Sequence, residues 1–162
     1  MESIAPEIRE MVGMGGTSAE QAAVAASVAA SEPRSVFFPL GMPGFPDQHE
    51  FSLQPIDTAP SSWMMLRSLT QTTLGFVLMP VAEPQSIYQP AELAIGREAL
   101  GIEEEDLQTF LVVNIHGRAA DLEAYVNLRA PVFVDVVSRQ AVQIVLPSSG
   151  YSVRHKLQLL RN

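Results

Sequence analysis

Phe37-Phe38-Pro39-Leu40-Gly41-Met42-Pro43-Gly44-Phe45-Pro46-Asp47 is the stretch from which the fold of this chain is read. Two phenylalanines open an apolar run, and Pro39 stops it. In Gly41–Asp47, two prolines fix φ and two glycines permit positive φ, so the segment is a rigid turn. Beyond it, Phe51 and Leu53 alternate with polar neighbours, the period of a half-buried strand. A strand, a tight turn and an alternating strand in so short a span predict antiparallel β structure.

The pattern continues downstream. After the loop Pro55–Ser62 come Trp63-Met64-Met65-Leu66 and then Leu74–Met79, which ends before Pro80; both are short enough to be strands. The Trp63-Met64-Met65 run is read as core or barrel wall. Thr109–His116 is apolar and β-branched, and Leu122, Val126 and Leu128 mark another extended segment. Val132-Phe133-Val134 and Val142–Leu146 flank Val137–Gln140 as a hairpin, and Ser148-Ser149-Gly150 is a polar turn. About seven strands at this spacing predict a mainly β fold, a small antiparallel barrel or sandwich.

One helix interrupts the β rhythm. Pro90 suits a first helical turn, Ala91–Leu100 are helix formers apart from Gly96, and Gly101 is placed to end it. Leu93 and Leu100 share its buried face. The acidic run Glu103-Glu104-Glu105-Asp106 that follows is a solvated turn without the spacing of a calcium loop. Residues 1–34 read as a flexible or partly helical Ala-rich extension, and residues 35–162 as the folded domain. A capping box of Thr17 with Glu20, or of Ser18 with Gln21, opens a helix whose only larger apolar residues are Val24 and Val28. That stripe is too thin to bury much, and short isolated helices are marginal in water.

Charge excludes more than it identifies. The chain has 162 residues and a formal charge of −8, with no cysteine and 3 histidines. Disulfide scaffolds, thiolate zinc sites and cysteine nucleophiles are thereby excluded. Net acidity opposes phosphate backbones, so direct nucleic-acid binding is not expected. No uninterrupted apolar run reaches transmembrane length, and Glu2 and Glu7 precede the first base, against a secretory signal; a cytoplasmic domain is expected. The charge divides into −3 on residues 1–34, −9 on 35–135 and +4 on 136–162, the last from Arg139, Arg154, Lys156 and Arg161.

Residues for catalysis are sparse. His49, His116 and His155 lie far apart, without the spacing of a zinc site. Ser148 lacks a nucleophile elbow. Asp121 and Glu123 would share one face of a strand, yet nothing marks a sugar platform around them. An enzyme is not expected, nor a metal or cofactor.

The turn and the C-terminal segments together resemble one family. Phe38-Pro39-Leu40-Gly41-Met42-Pro43-Gly44-Phe45 resembles the opening signature of the flagellar assembly factor FliW family. Leu66 and Ser68-Leu69, Phe76 with Met79-Pro80, and Ile87-Tyr88 before the helix follow in the family's order. Val126–Pro131 resembles its Asn-Leu-x-Ala-Pro motif. Gln143–Leu146 and Tyr151–His155 resemble its closing Gln-Val-x-Leu and Tyr-x-x-Arg-His. The chain departs from the pattern at Tyr125, where Thr is common, at Asp135, where Asn is usual, and at Lys156, where Pro often follows Arg-His.

The resemblance implies a β-barrel-like domain with one or two short helices, monomeric, whose partners are flagellin and the translational repressor CsrA. Binding flagellin would leave CsrA free to repress; release would let the protein antagonise CsrA. Pro39, Pro43, Gly44 and Phe45 are read as setting a turn and plugging the barrel. Tyr88, Asn127, Arg154 and His155 are the expected partner-binding residues, with Asn127 equally suited to holding backbone groups. Two other readings are a flagellin chaperone with no CsrA role, and a small barrel binding an apolar molecule among residues 63–79.

Overall fold

The structure, a computed structural model, describes residues 33–57, 62–147 and 150–158. The Ala-rich extension with its capping boxes, and Ser148-Ser149, lie outside the described residues. Arg34, assigned above to the extension, opens the first strand.

Among the described residues nine strands form one sheet. They are β1 (Arg34–Phe37), β2 (Glu50–Pro55), β3 (Met64–Ser68), β4 (Gly75–Val81), β5 (Leu107–His116), β6 (Glu123–Val126), β7 (Val132–Asp135), β8 (Ala141–Gln143) and β9 (His155–Leu157), with helix α1 (Pro90–Leu100) between β4 and β5. Neighbours from β1 to β5 pair antiparallel in chain order. β5 is long enough to fork: Leu107–Phe110 pair with β7, and Val113–His116 pair with β6. β7 carries β8, and β6 carries β9. The sheet curls until the Phe37 amide donates to the Arg139 carbonyl at 2.9 Å, joining β1 to the segment entering β8. The mainly β, barrel-like fold expected from the sequence is the one adopted, with one α-helix among the described residues.

Strand alternation builds two cores from one sheet. Leu78, Phe110, Val132, Val134 and Ala141 point into the curl with Phe38, Phe51, Leu53 and Leu66. Met79, Leu111, Phe133 and Val142 point to the opposite face and pack with Trp63, Tyr88 and Leu93. β7 is buried along its whole length because both cores need it. α1 begins at Pro90, with a capping box between Gln89 and Glu92, and ends at Gly101 as its sequence predicts. It packs so closely on β7 that a Cβ at Gly96 would sit 2.6 Å from the Phe133 ring.

Two expectations are corrected. β4 does not stop before Pro80 but runs to Val81. Its pairing with β3 ends at Leu78, so Pro80 lies where one side of the strand is free and a missing N–H is tolerated. The Pro43-Gly44 pair forms a type II turn, with Gly44 at φ 86° and the Phe45 amide bonded to the Met42 carbonyl at 2.7 Å. That turn sends Met42 inward and Phe45 outward. Met42 and Phe38 fill the barrel end, whereas Phe45 is 37% exposed and rests edge-on against Phe76.

Candidate functional site

The motif residues converge where β6 ends. Asn127 leaves β6 with its amide bonded to the Val112 carbonyl at 3.1 Å, and its Oδ1 accepts from the Arg129 amide at 3.1 Å. The Leu128 amide donates to the Ser152 carbonyl at 2.9 Å, which ties the Asn-Leu-x-Ala-Pro segment to the Tyr-x-x-Arg-His segment. Tyr88 completes the knot by donating to the Leu128 carbonyl at 2.6 Å. Three motifs distant in sequence therefore form one structural joint.

Within this joint the roles differ from expectation at Tyr88. Its side chain is 2% exposed, so it is an internal strut and has no face to offer a partner. Burial, helped by Tyr151 and Glu92 nearby, pushes its phenol well above the usual range. The Tyr151 ring lies tilted against that of Tyr88, centroids 5.2 Å apart, and its hydroxyl donates to the Glu92 carboxylate; burial first, and that carboxylate second, push it up to about 12. Glu92 also accepts from the Gln89 amide at 2.9 Å, so one carboxylate caps α1 and holds Tyr151. Asn127 is spent on the backbone through Oδ1. His155 is half-buried on the core side of β9, and loss of solvent lowers its pKa, favouring the neutral ring.

Arg154 alone of the four expected residues is fully on the surface. Its guanidinium lies 4.3 Å over the Tyr125 ring, and His116 meets the same ring edge-on at 5.8 Å. The Tyr125 hydroxyl donates to Glu123 at 2.8 Å, and Lys156 Nζ reaches the other Glu123 oxygen at 2.7 Å. The Lys156 hydrogen bond, then that of Tyr125, holds the Glu123 carboxyl below its usual range, and the same bond raises Lys156. A stacked arginine is pre-organised, and its edge is left to bind carboxylates. Among the described residues Arg154 has no carboxylate within ion-pair distance.

Sequence reasoning missed Tyr125 as Arg154's platform. Tyr125 pairs directly with Lys156 across β6 and β9, and both are positions where the chain departs from the family pattern. Those departures were the available signal. The third, Asp135, accepts from the Val137 amide at 2.9 Å and from the Ser138 hydroxyl, holding the β7–β8 turn.

Of the residues considered for catalysis, His116 and Glu123 are direct partners across β5 and β6, whereas Asp121, His49 and His155 are held elsewhere. Asp121 falls in a 3-10 turn before β6, so it does not share a strand face with Glu123. His49 is bonded to the Phe38 carbonyl at 2.8 Å, while His155 faces the core. Among the described residues no three His, Asp or Glu side chains group as metal ligands, and no helix is long and apolar enough to cross a membrane.

A curled antiparallel sheet with a surface array of paired charges and aromatic rings defines a small, mainly β protein. The FliW protein family matches residues 20–157, and the chain belongs to that family. It is 36% identical over 124 residues to the flagellar assembly factor FliW of Desulfitobacterium hafniense, covering 74% of this chain and 78% of that protein. The flagellar assembly factor FliW of Bacillus pumilus is 30% identical over 132 residues, covering 79% and 88%. A crystal structure of a flagellar assembly factor FliW superposes with a TM-score of 0.61 at 26% identity, over 79% of this chain and 88% of that one.

Proposed function

We propose that this chain is a cytoplasmic, monomeric flagellar assembly factor that binds flagellin and, when free of it, antagonises a CsrA-type translational repressor. Membership of the FliW family is the observation that carries this reading. The −9 charge on residues 35–135 supports it, because a repressor that binds RNA presents a basic surface to which an acidic body is steered. The exposed turn Glu103-Glu104-Glu105 concentrates that charge. On the opposite end, Arg154 on Tyr125, with Lys156 beside it, offers a pre-organised basic contact for a partner carboxylate. Asn127 braces the turn after β6 through the Arg129 amide, and His155 pairs with Val126 in the adjoining strand.

The apolar-ligand reading has little room. The inside of the curl is filled by Phe38, Met42, Phe51, Leu66 and Phe110, all fully buried. A pull-down of the purified chain with flagellin and with CsrA tests the proposal: capture of both is expected, and binding to neither at micromolar concentration contradicts it.

A further inference from the structure

α1 covers the outer face of β7 and β8 and makes no comparable contact with β1, β2 or β3. There Val137, Phe37 and Leu69 stand 72%, 44% and 48% exposed. They border a groove of about 440 Å³ that also touches Ser35, Glu50 and Arg139. A second groove of about 350 Å³ continues past Phe37 to His49 and Asp47. Three exposed apolar side chains around one groove make it a candidate interaction surface.

One wall is built rather than incidental. Arg139 holds φ at 61°, a left-handed conformation unfavourable for a non-glycine residue. It is kept there because its amide donates to the Asp135 carbonyl at 2.8 Å, and its carbonyl accepts from Phe37 at 2.9 Å. The Asp135 carboxylate fixes the turn from inside. A left-handed residue at this position closes the β7–β8 hairpin and fixes the direction of its backbone.

The backbone decides the shape of the occupant. Phe37's outward N–H is already used by Arg139, and antiparallel alternation makes Ser35 the next outward residue of β1. The next position in that series is Pro33, which has no N–H. An added strand would therefore find one free donor on this edge, too few to zip along it. A helix brings its own backbone bonds and needs only an apolar stripe. The rim is polarised, with Arg139 beside Val137, and Glu50 and Asp47 beyond Phe37.

We propose that the groove over Val137, Phe37 and Leu69 seats an amphipathic helix of a protein partner, acidic where it meets Arg139 and basic where it meets Glu50 and Asp47. Resting on the flagellin-binding reading above, this gives that reading a surface separate from the Arg154 cluster.

Flagellin titrated into the full chain by calorimetry is the test, with Val137→Asp, Leu69→Asp, Arg139→Glu and Glu50→Lys as variants and Val145→Asp as an exposed apolar control elsewhere. About tenfold or greater weakening is expected for Val137→Asp and Leu69→Asp, as for the loss of a binding hot spot. Smaller losses are expected for the two charge reversals, with Val145→Asp binding as wild type and melting temperatures unchanged. Wild-type affinity in Val137→Asp and Leu69→Asp overturns the groove assignment and leaves flagellin binding intact. A wild-type chain that does not bind flagellin overturns both.

Discussion

At the residue scale, Gly96 shows how a local cost serves a tertiary contact. Glycine inside a helix costs roughly 1 kcal/mol against alanine. Here a methyl group would press into the ring of buried Phe133 at 2.6 Å. Overpacking of this kind costs about 1–3 kcal/mol, so Gly96→Ala is expected to lose stability in urea despite its better helix propensity. A stabilised Gly96→Ala would show that α1 can lift from β7 freely. Tyr88 and Tyr151 make a pH prediction. Both phenols are raised when folded, Tyr151 to about 12 from 10.0. The unfolded chain thus loses its protons first as pH rises, and stability that is intact below pH 10 falls between about pH 10 and 12. Chemical denaturation across that range checks it, and Tyr151→Phe should flatten the fall.

At the scale of elements, the β6–β9 pair carries this chain's individuality. Tyr125 and Lys156 are directly paired, and Arg154 depends on the Tyr125 ring for its posture. Replacing Tyr125 with Thr, the common family residue, removes a contact worth about 0.5–1 kcal/mol at an exposed site. Affinity for a partner that uses Arg154 should fall while the melting temperature hardly moves; unchanged affinity for both flagellin and CsrA would show that the cluster only decorates the surface. At α1, Glu92→Ala removes the cap and Tyr151's acceptor together, with an expected loss of about 1 kcal/mol or more on denaturation. Elements with local punctuation were legible in the sequence: Pro90 and Gly101 bound α1, and Pro43-Gly44 marks the turn. The β6–β9 pairing was not, because three residues of β9 carry no readable alternation and their partner is far away in the chain. For the same reason Tyr88 read as a contact: its acceptor, the Leu128 carbonyl, lies forty residues on.

Over the whole molecule, curling one sheet places different chemistry at different ends. The acidic turn after α1, the Arg154 cluster beside β9 and the groove beside β1 are distinct surfaces. The acidic body predicts that CsrA affinity weakens as salt is added, since exposed charges are screened within about 10 Å at 0.1 M ionic strength. Salt-independent affinity would remove electrostatic steering from the account. The proposed function requires that one chain exchange flagellin for CsrA. The most direct measurement is competition: the full chain bound to CsrA, followed by size-exclusion or fluorescence anisotropy as flagellin is added. Release of CsrA in proportion to added flagellin is expected, and CsrA that stays bound while flagellin joins the same chain rules the exchange out.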